Sequence, residues 1–144
     1  MRRCAIVIFA LTLTAAAAPA AEPNYNYALH CTGCHTADGV SPELGRIPPL
    51  KGVVGHLVRG KEARIYFVNV PGIVNSGLDS KDTAALLNWV VKIYGGKSTP
   101  ESWTRFDAAE IEALRLKAPA DVMAYRKEVQ DRLSADGYSI GTYP

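Results

Sequence analysis

The residues best suited to chemistry are consecutive: His30-Cys31-Thr32-Gly33-Cys34-His35. The whole chain holds 3 cysteines and 3 histidines, and two of each fall in this stretch. Two thiols with this spacing lie on one side of a helical turn, so they can reach two neighbouring points of one flat ligand. Cys-x-x-Cys-His is the pattern of covalent c-type haem attachment. Cys31 and Cys34 would bond the two vinyl groups of one porphyrin edge, and His35 would turn its imidazole to the iron as the proximal ligand. Gly33 would leave the turn without a side chain where that edge comes close. Three other chemistries use similar residues. A thioredoxin-like redox pair belongs beside a βαβ pattern, and none is visible here. A structural zinc site needs four ligands, which His30, Cys31, Cys34 and His35 could supply only if adjacent residues all turned to one ion. A plain disulfide between Cys31 and Cys34 would close a small, strained ring. Haem attachment is the reading the sequence favours.

The compartment bears on that choice. Met1-Arg2-Arg3 is a basic start, Cys4 to Ala18 is apolar, and Ala18-Pro19-Ala20 puts small residues where a signal peptidase reads. Residues 1–20 therefore read as a secretory signal peptide, cleaved before Ala21. The apolar run falls short of the ~20 residues that span a bilayer, so no stable membrane insertion is expected after cleavage. Nothing apolar precedes Cys4, so lipid attachment there is not expected. Loss of Arg2 and Arg3 cancels the formal net charge of +2. A nucleic-acid partner then loses its electrostatic basis. Cleavage also removes Cys4, leaving Cys31 and Cys34 alone in an oxidising, periplasmic location.

The elements that must position the motif are helical. At 144 residues the chain amounts to about one domain. Glu22 to Tyr27 reads as a mobile N-terminus running into a short motif helix. Asp38-Gly39-Val40-Ser41-Pro42 is turn chemistry, and Ile47-Pro48-Pro49-Leu50 is extended, because proline disfavours helix in the residue before it. Gly52, Gly55 and Gly60 punctuate a loop. Glu62 to Val70 reads equally as a short helix ended by Pro71 or as a strand. The clearest helix spans Ser80 to Tyr94. Asp79 is its N-cap with Asp82 three residues on, Leu86, Leu87, Val90, Ile93 and Tyr94 form its stripe with Trp89 at the edge, and Gly95-Gly96 stops it. Asp107 with Glu110 signals another helix through Ile111 and Leu114. Pro119 is expected to open the last, whose stripe is Val122, Tyr125, Val129 and Leu133. Residues 134–144 look loose.

From about Asn26 to Tyr94 the order of these features resembles the class I, monohaem cytochrome c family. The haem motif comes first. Pro49-Leu50-Lys51-Gly52-Val53-Val54-Gly55 is similar to that family's Pro-x-Leu-x-Gly-x-x-Gly loop, and an amphipathic helix follows. The resemblance implies an all-α fold: a cytochrome c-like helical domain around one covalent haem c over residues 21–95, plus a C-terminal helical extension over 96–144. It also implies that the Pro49 carbonyl bonds the ring N–H of His35 and so orients it, and that His56, Arg59 and Arg64 stand where haem-propionate partners do.

One departure concerns the second axial position. The family normally supplies a methionine there, often as Met-Pro, before the final helix. Here the segment reads Asn69-Val70-Pro71-Gly72-Ile73-Val74-Asn75-Ser76, with Val70-Pro71 in that place. The candidates for a distal ligand are Met123, His56, Asn69 or Asn75. His30, next to Cys31, faces away from the iron in a normal motif helix. An open or water-bound site is the reading favoured over Met123. Methionine ligation raises the potential and suits electron transfer, whereas an open iron admits small ligands. The expected function is a periplasmic, non-enzymatic carrier of single electrons between a dehydrogenase or respiratory donor and an acceptor, docking with redox partner proteins. The alternative is a haem c protein with an open distal site, acting as a sensor or a peroxidase-like enzyme. A peroxidase needs a distal acid/base, and His56 is the only free histidine for it, in a loop position that argues against the role.

Overall fold

A computed structural model describes residues 22–41 and 47–141, so the expected signal peptide lies outside the described residues. Among these the fold is all-α, with seven helices, two short 3₁₀ turns and no strand. The helices are α1 (Pro23–His30), α2 (Thr32–His35), α3 (Gly60–Asn69), α4 (Pro71–Val74), α5 (Ser80–Tyr94), α6 (Ala108–Arg115) and α7 (Val122–Ala135).

The two capping signals act as expected. The Asp79 carboxylate accepts the Asp82 N–H at 2.8 Å and Asp107 accepts that of Glu110 at 2.8 Å, each satisfying a donor that the first turn leaves free. Helix α5 ends at Gly95-Gly96, where Gly96 takes φ 52°. It packs against α1 on one side and α6 on another, so its buried arc is wider than one stripe and also takes in Thr83, Ala84 and Val91. Ile93, expected on the stripe, falls outside that arc and is 50 % exposed.

Helix α3 resolves the ambiguity of Glu62–Val70. It is contacted by the 3₁₀ turn Val54–Val58, by α6 and by α7. Every residue from Ala63 to Asn69 is buried in consequence. A helix enclosed on all sides has no polar face, and so no helical period to read. Pro71 ends it by holding Val70 extended, at φ −64° and ψ 145°.

Three further expectations change. The N-terminus is not a mobile lead-in: α1 begins at Pro23, which sits in the first turn where its missing N–H costs nothing. The last helix begins at Val122 and not at Pro119, because Asp121 caps it by accepting from the N–H groups of Met123 and Ala124, both at 2.9 Å. The tail is not loose over its described part. Arg126, buried in α7, donates to the Ile140 and Gly141 carbonyls at 2.9 Å each, and Ile140 is 1 % exposed. A single hydrophobic core draws on both halves of the chain, from Tyr27, Leu86 and Leu87 to Phe106, Ile111, Val129 and Ile140.

Candidate functional site

The motif begins where α1 ends. Cys31 joins α1 to the single turn of α2, whose His35 N–H bonds the Cys31 carbonyl at 2.9 Å. Cys31 is half-buried against the core and Cys34 is exposed; neither is in a disulfide. Burial first, and the neighbouring Cys34 second, push the Cys31 thiol up to about 11. A cysteine built for redox exchange has the opposite shift, toward an accessible thiolate. Gly33 has open space around it: a Cβ there would meet no atom within 4 Å. Among the described residues no three His, Cys, Asp or Glu side chains are grouped to hold a metal ion.

His35 is half-buried. Burial lowers its proton affinity and the Pro48 carbonyl, facing the ring, opposes this more weakly. The net shift favours the neutral imidazole, the form that binds metals. The buried Nδ1 of His35 has no hydrogen-bond partner among the described residues. The residue facing His35 is thus Pro48, not Pro49, which is exposed. Read from Pro48, the residues up to Gly55 match Pro-x-Leu-x-Gly-x-x-Gly at every fixed position, so the correction moves the register by one.

A turn redirects the chain directly after His35. Thr36 takes φ 53° and ψ 172°, the one non-glycine residue with positive φ among those described. Such a conformation costs about 1–3 kcal/mol and persists only when neighbours over-determine it. They do so here. The buried Tyr27 hydroxyl donates to the Thr36 carbonyl at 2.7 Å, and the Thr36 hydroxyl sits among the His35 carbonyl at 2.6 Å, Asp38 Oδ1 at 2.5 Å and the Val40 carbonyl at 2.9 Å. Tyr94, at the end of α5, donates to the Ala37 carbonyl at 2.9 Å. Tyr27, Trp89 and Tyr94 form one ring cluster where α1 meets α5, with centroids 5.1–5.8 Å apart. The proline loop is tied to the same place: the N–H groups of Leu50 and Lys51 donate to the Gly39 carbonyl at 2.9 and 3.0 Å, and Gly52 N–H donates to the Tyr94 carbonyl at 2.7 Å. Motif, turn, proline loop and α5 are thereby one assembly. The sequence points to the motif but not to Tyr27, Thr36 and Tyr94 as its supports, since their hydrogen bonds join distant elements.

The other expected site residues are elsewhere. Arg64 is buried, with its guanidinium forked on Glu110 at 2.7 and 2.5 Å, on the Thr104 carbonyl at 3.0 Å, and 3.8 Å over the Phe106 ring. Arg59 donates to the Ser98 carbonyl at 3.2 Å and lies 4.0 Å over Tyr138. Both arginines are engaged by the extension, whose carbonyls, rings and carboxylate take the place expected for a propionate. His56 stacks on Tyr138, with centroids 5.0 Å apart, and burial, aided by the Arg59 charge, lowers its proton affinity. The Asn69 amide donates to the Ile65 and Leu114 carbonyls at 2.8 and 3.1 Å, tying α3 to α6. Asn75 is exposed after α4, and His30 is half-buried at the end of α1. Met123 is 43 % exposed on α7, which packs on α3, whereas α2 packs with α1.

No protein-family model matches the chain, and no curated protein matches it significantly.

Proposed function

We propose that the chain is a periplasmic c-type cytochrome that carries single electrons through one haem c, attached to Cys31 and Cys34 with His35 as the proximal iron ligand. The observation that carries this reading is His35. Its buried Nδ1 lacks a hydrogen-bond partner among the described residues, beside two free thiols, and burial lowers the ring's proton affinity. An orphaned buried polar atom costs about 1–3 kcal/mol, and metal ligation of the ring, with Pro48 closing on the other nitrogen, removes that cost. The open space around Gly33 supports the same reading, because it leaves room for a flat group beside the motif.

The residues fit the group. Each thiol would add across one vinyl group, sulfur bonding one vinyl carbon and the thiol hydrogen passing to the other. Bound in this way, haem supplies a one-electron ferric/ferrous couple. The chain's part is to hold that couple in place. Cys31 and Cys34 would fix the porphyrin edge, His35, with the Pro48 carbonyl facing its ring, would bind the iron, and Tyr27 and Tyr94 hold the turn that follows it. A mature chain of zero net charge docks redox partner proteins through a local patch and not by long-range steering.

The test is to express the full chain in a host with haem-attachment machinery and denature the periplasmic product. One covalent haem per chain and a reversible one-electron titration are expected, and Cys31→Ala with Cys34→Ala should abolish the covalent haem. A colourless, haem-free product from the unaltered chain would defeat the reading.

A further inference from the structure

The C-terminal tail returns to the first half of the chain at Tyr138. Helix α7 ends at Ala135, and the Tyr138 N–H reaches back to the Leu133 carbonyl at 2.8 Å, so the chain reverses. The Tyr138 ring then meets two side chains from the 3₁₀ turn Val54–Val58 and its end. His56 stacks on it with centroids 5.0 Å apart, and the Arg59 guanidinium lies 4.0 Å over it. Residues three apart eclipse in a 3₁₀ turn, which puts His56 and Arg59 on one side. The Arg59 N–H also bonds the His56 carbonyl at 3.1 Å, and its guanidinium is fixed by the Ser98 carbonyl. Beyond Tyr138 the tail is held a second time, where Ile140 is buried and Arg126 bonds its carbonyl. Of these two holds, the one at Tyr138 includes a histidine.

That histidine is poorly placed to take a proton. Its Nδ1 is buried and has no hydrogen-bond partner among the described residues, so protonation would create a buried N–H cation with no acceptor. An imidazolium would be drawn to the Tyr138 ring, as Arg59 is. Arg59 already occupies that ring, however, and a second cation beside it is repelled. Burial first, and the Arg59 charge second, lower the proton affinity of His56. Helices α3 and α5 and the Gly96–Ser98 turn pack on the same 3₁₀ turn, and among the described residues none of them brings a further charge to bear on the ring. The phenol of Tyr138 faces it from the tail.

We infer that Tyr138 is a clasp holding the C-terminal tail to the 3₁₀ turn, and that adding a proton to His56 loosens it. The inference does not rest on the haem reading. A histidine whose proton affinity is lowered by folding stabilises the clasped state fully above its ordinary value of about 6.5. That contribution is lost as the pH falls below this value, because the open tail takes up the proton more readily. Acid therefore promotes a local opening of the tail, short of global unfolding.

The experiment is hydrogen exchange on the purified full chain, followed by mass spectrometry of peptides that cover residues 133–141. Measurements at about pH 8 and pH 5, the span in which histidine titrates, are corrected for intrinsic exchange. The tail should lose protection at the lower pH while α5 keeps its own. His56→Phe keeps an aromatic ring on Tyr138 and cannot take a proton, so its tail should show no such loss. Tyr138→Leu should leave the tail poorly protected at both values. A tail equally protected at both values in the unaltered chain overturns the inference, as does an undiminished loss in His56→Phe or full protection in Tyr138→Leu. If His56→Phe does not fold, the nuclear magnetic resonance titration of His56 in the unaltered chain decides. A midpoint below the ordinary histidine value that tracks the loss of protection supports the clasp, and a midpoint at or above that value overturns it.

Discussion

Thr36 pays a conformational cost at the residue that follows the proposed iron ligand, and the groups that hold it there are hydrogen-bonded side chains and one glycine. Gly39 is that glycine. It takes φ 75°, where an L side chain is strained, and a Cβ on it would lie 2.5 Å from the Tyr94 ring. Its carbonyl receives both Leu50 and Lys51, so the glycine also fixes the proline loop. Gly39→Ala should therefore destabilise the protein by at least about 2 kcal/mol, the sum of a left-handed backbone penalty and displacement of Tyr94. Urea unfolding measures this. A change of under about 0.5 kcal/mol, the size expected of an ordinary surface substitution, would mean that the turn is not under the constraint described. The motif was legible in the sequence because its residues are adjacent and its spacing states its geometry. The supports at Tyr27, Gly39 and Tyr94 were not, because each acts on a residue it meets only in the folded chain.

Helices α3 and α6 join the first half of the chain to the second through a largely buried ion pair. Arg64 and Glu110 have side-chain exposures of 10 % and 30 %, and their fork is the only carboxylate contact of Arg64 among the described residues. Removing one partner strands the other. Glu110→Ala should cost about 2–3 kcal/mol, somewhat below the figure for a fully buried pair. Asp131→Ala serves as the control, since Lys127 and Asp131 are 77 % and 64 % exposed on α7 and their pair is worth at most about 0.5 kcal/mol. Equal effects in the two denaturation curves would refute the distinction. Which elements could be read in advance follows from the same packing. Helices α5 and α6 carry their own caps and keep a solvent face, so their ends and periods were readable. Helix α3 is enclosed, so its sequence shows no period and Arg64 looked free for a ligand. Helix α7 starts later than Pro119 suggests, because the side chain that satisfies its first donors belongs to Asp121.

For the molecule as a whole, the described residues after Gly95 share one core with those before it. Phe106, Ile111, Leu114, Val129, Leu133 and Ile140 enter the same core as Tyr27, Leu86 and Val90. They do so chiefly around α3, which has no exposed face of its own. The backbone also joins the halves where Gly55, in the 3₁₀ turn, donates its N–H to Ser98 Oγ at 3.0 Å; a Cβ on Gly55 would lie 2.6 Å from that oxygen. Two tryptophans report on the two parts, Trp89 in α5 and Trp103 in the connection before α6. If the core is one cooperative unit, Trp89→Phe and Trp103→Phe variants, each keeping one reporter, should show denaturant midpoints that coincide with one another and with far-ultraviolet circular dichroism, after correction for each variant's own stability. Ile140→Ala should lower all of these together, by about 2–4 kcal/mol, even though Ile140 lies close to the C-terminus and far from α5 in sequence. Separate transitions, with the Trp103 signal lost first and Ile140→Ala moving that signal alone, would show the extension to be a dispensable cap. In the cooperative case it is the wall that buries α3, and a chain ending at Gly95 should not fold.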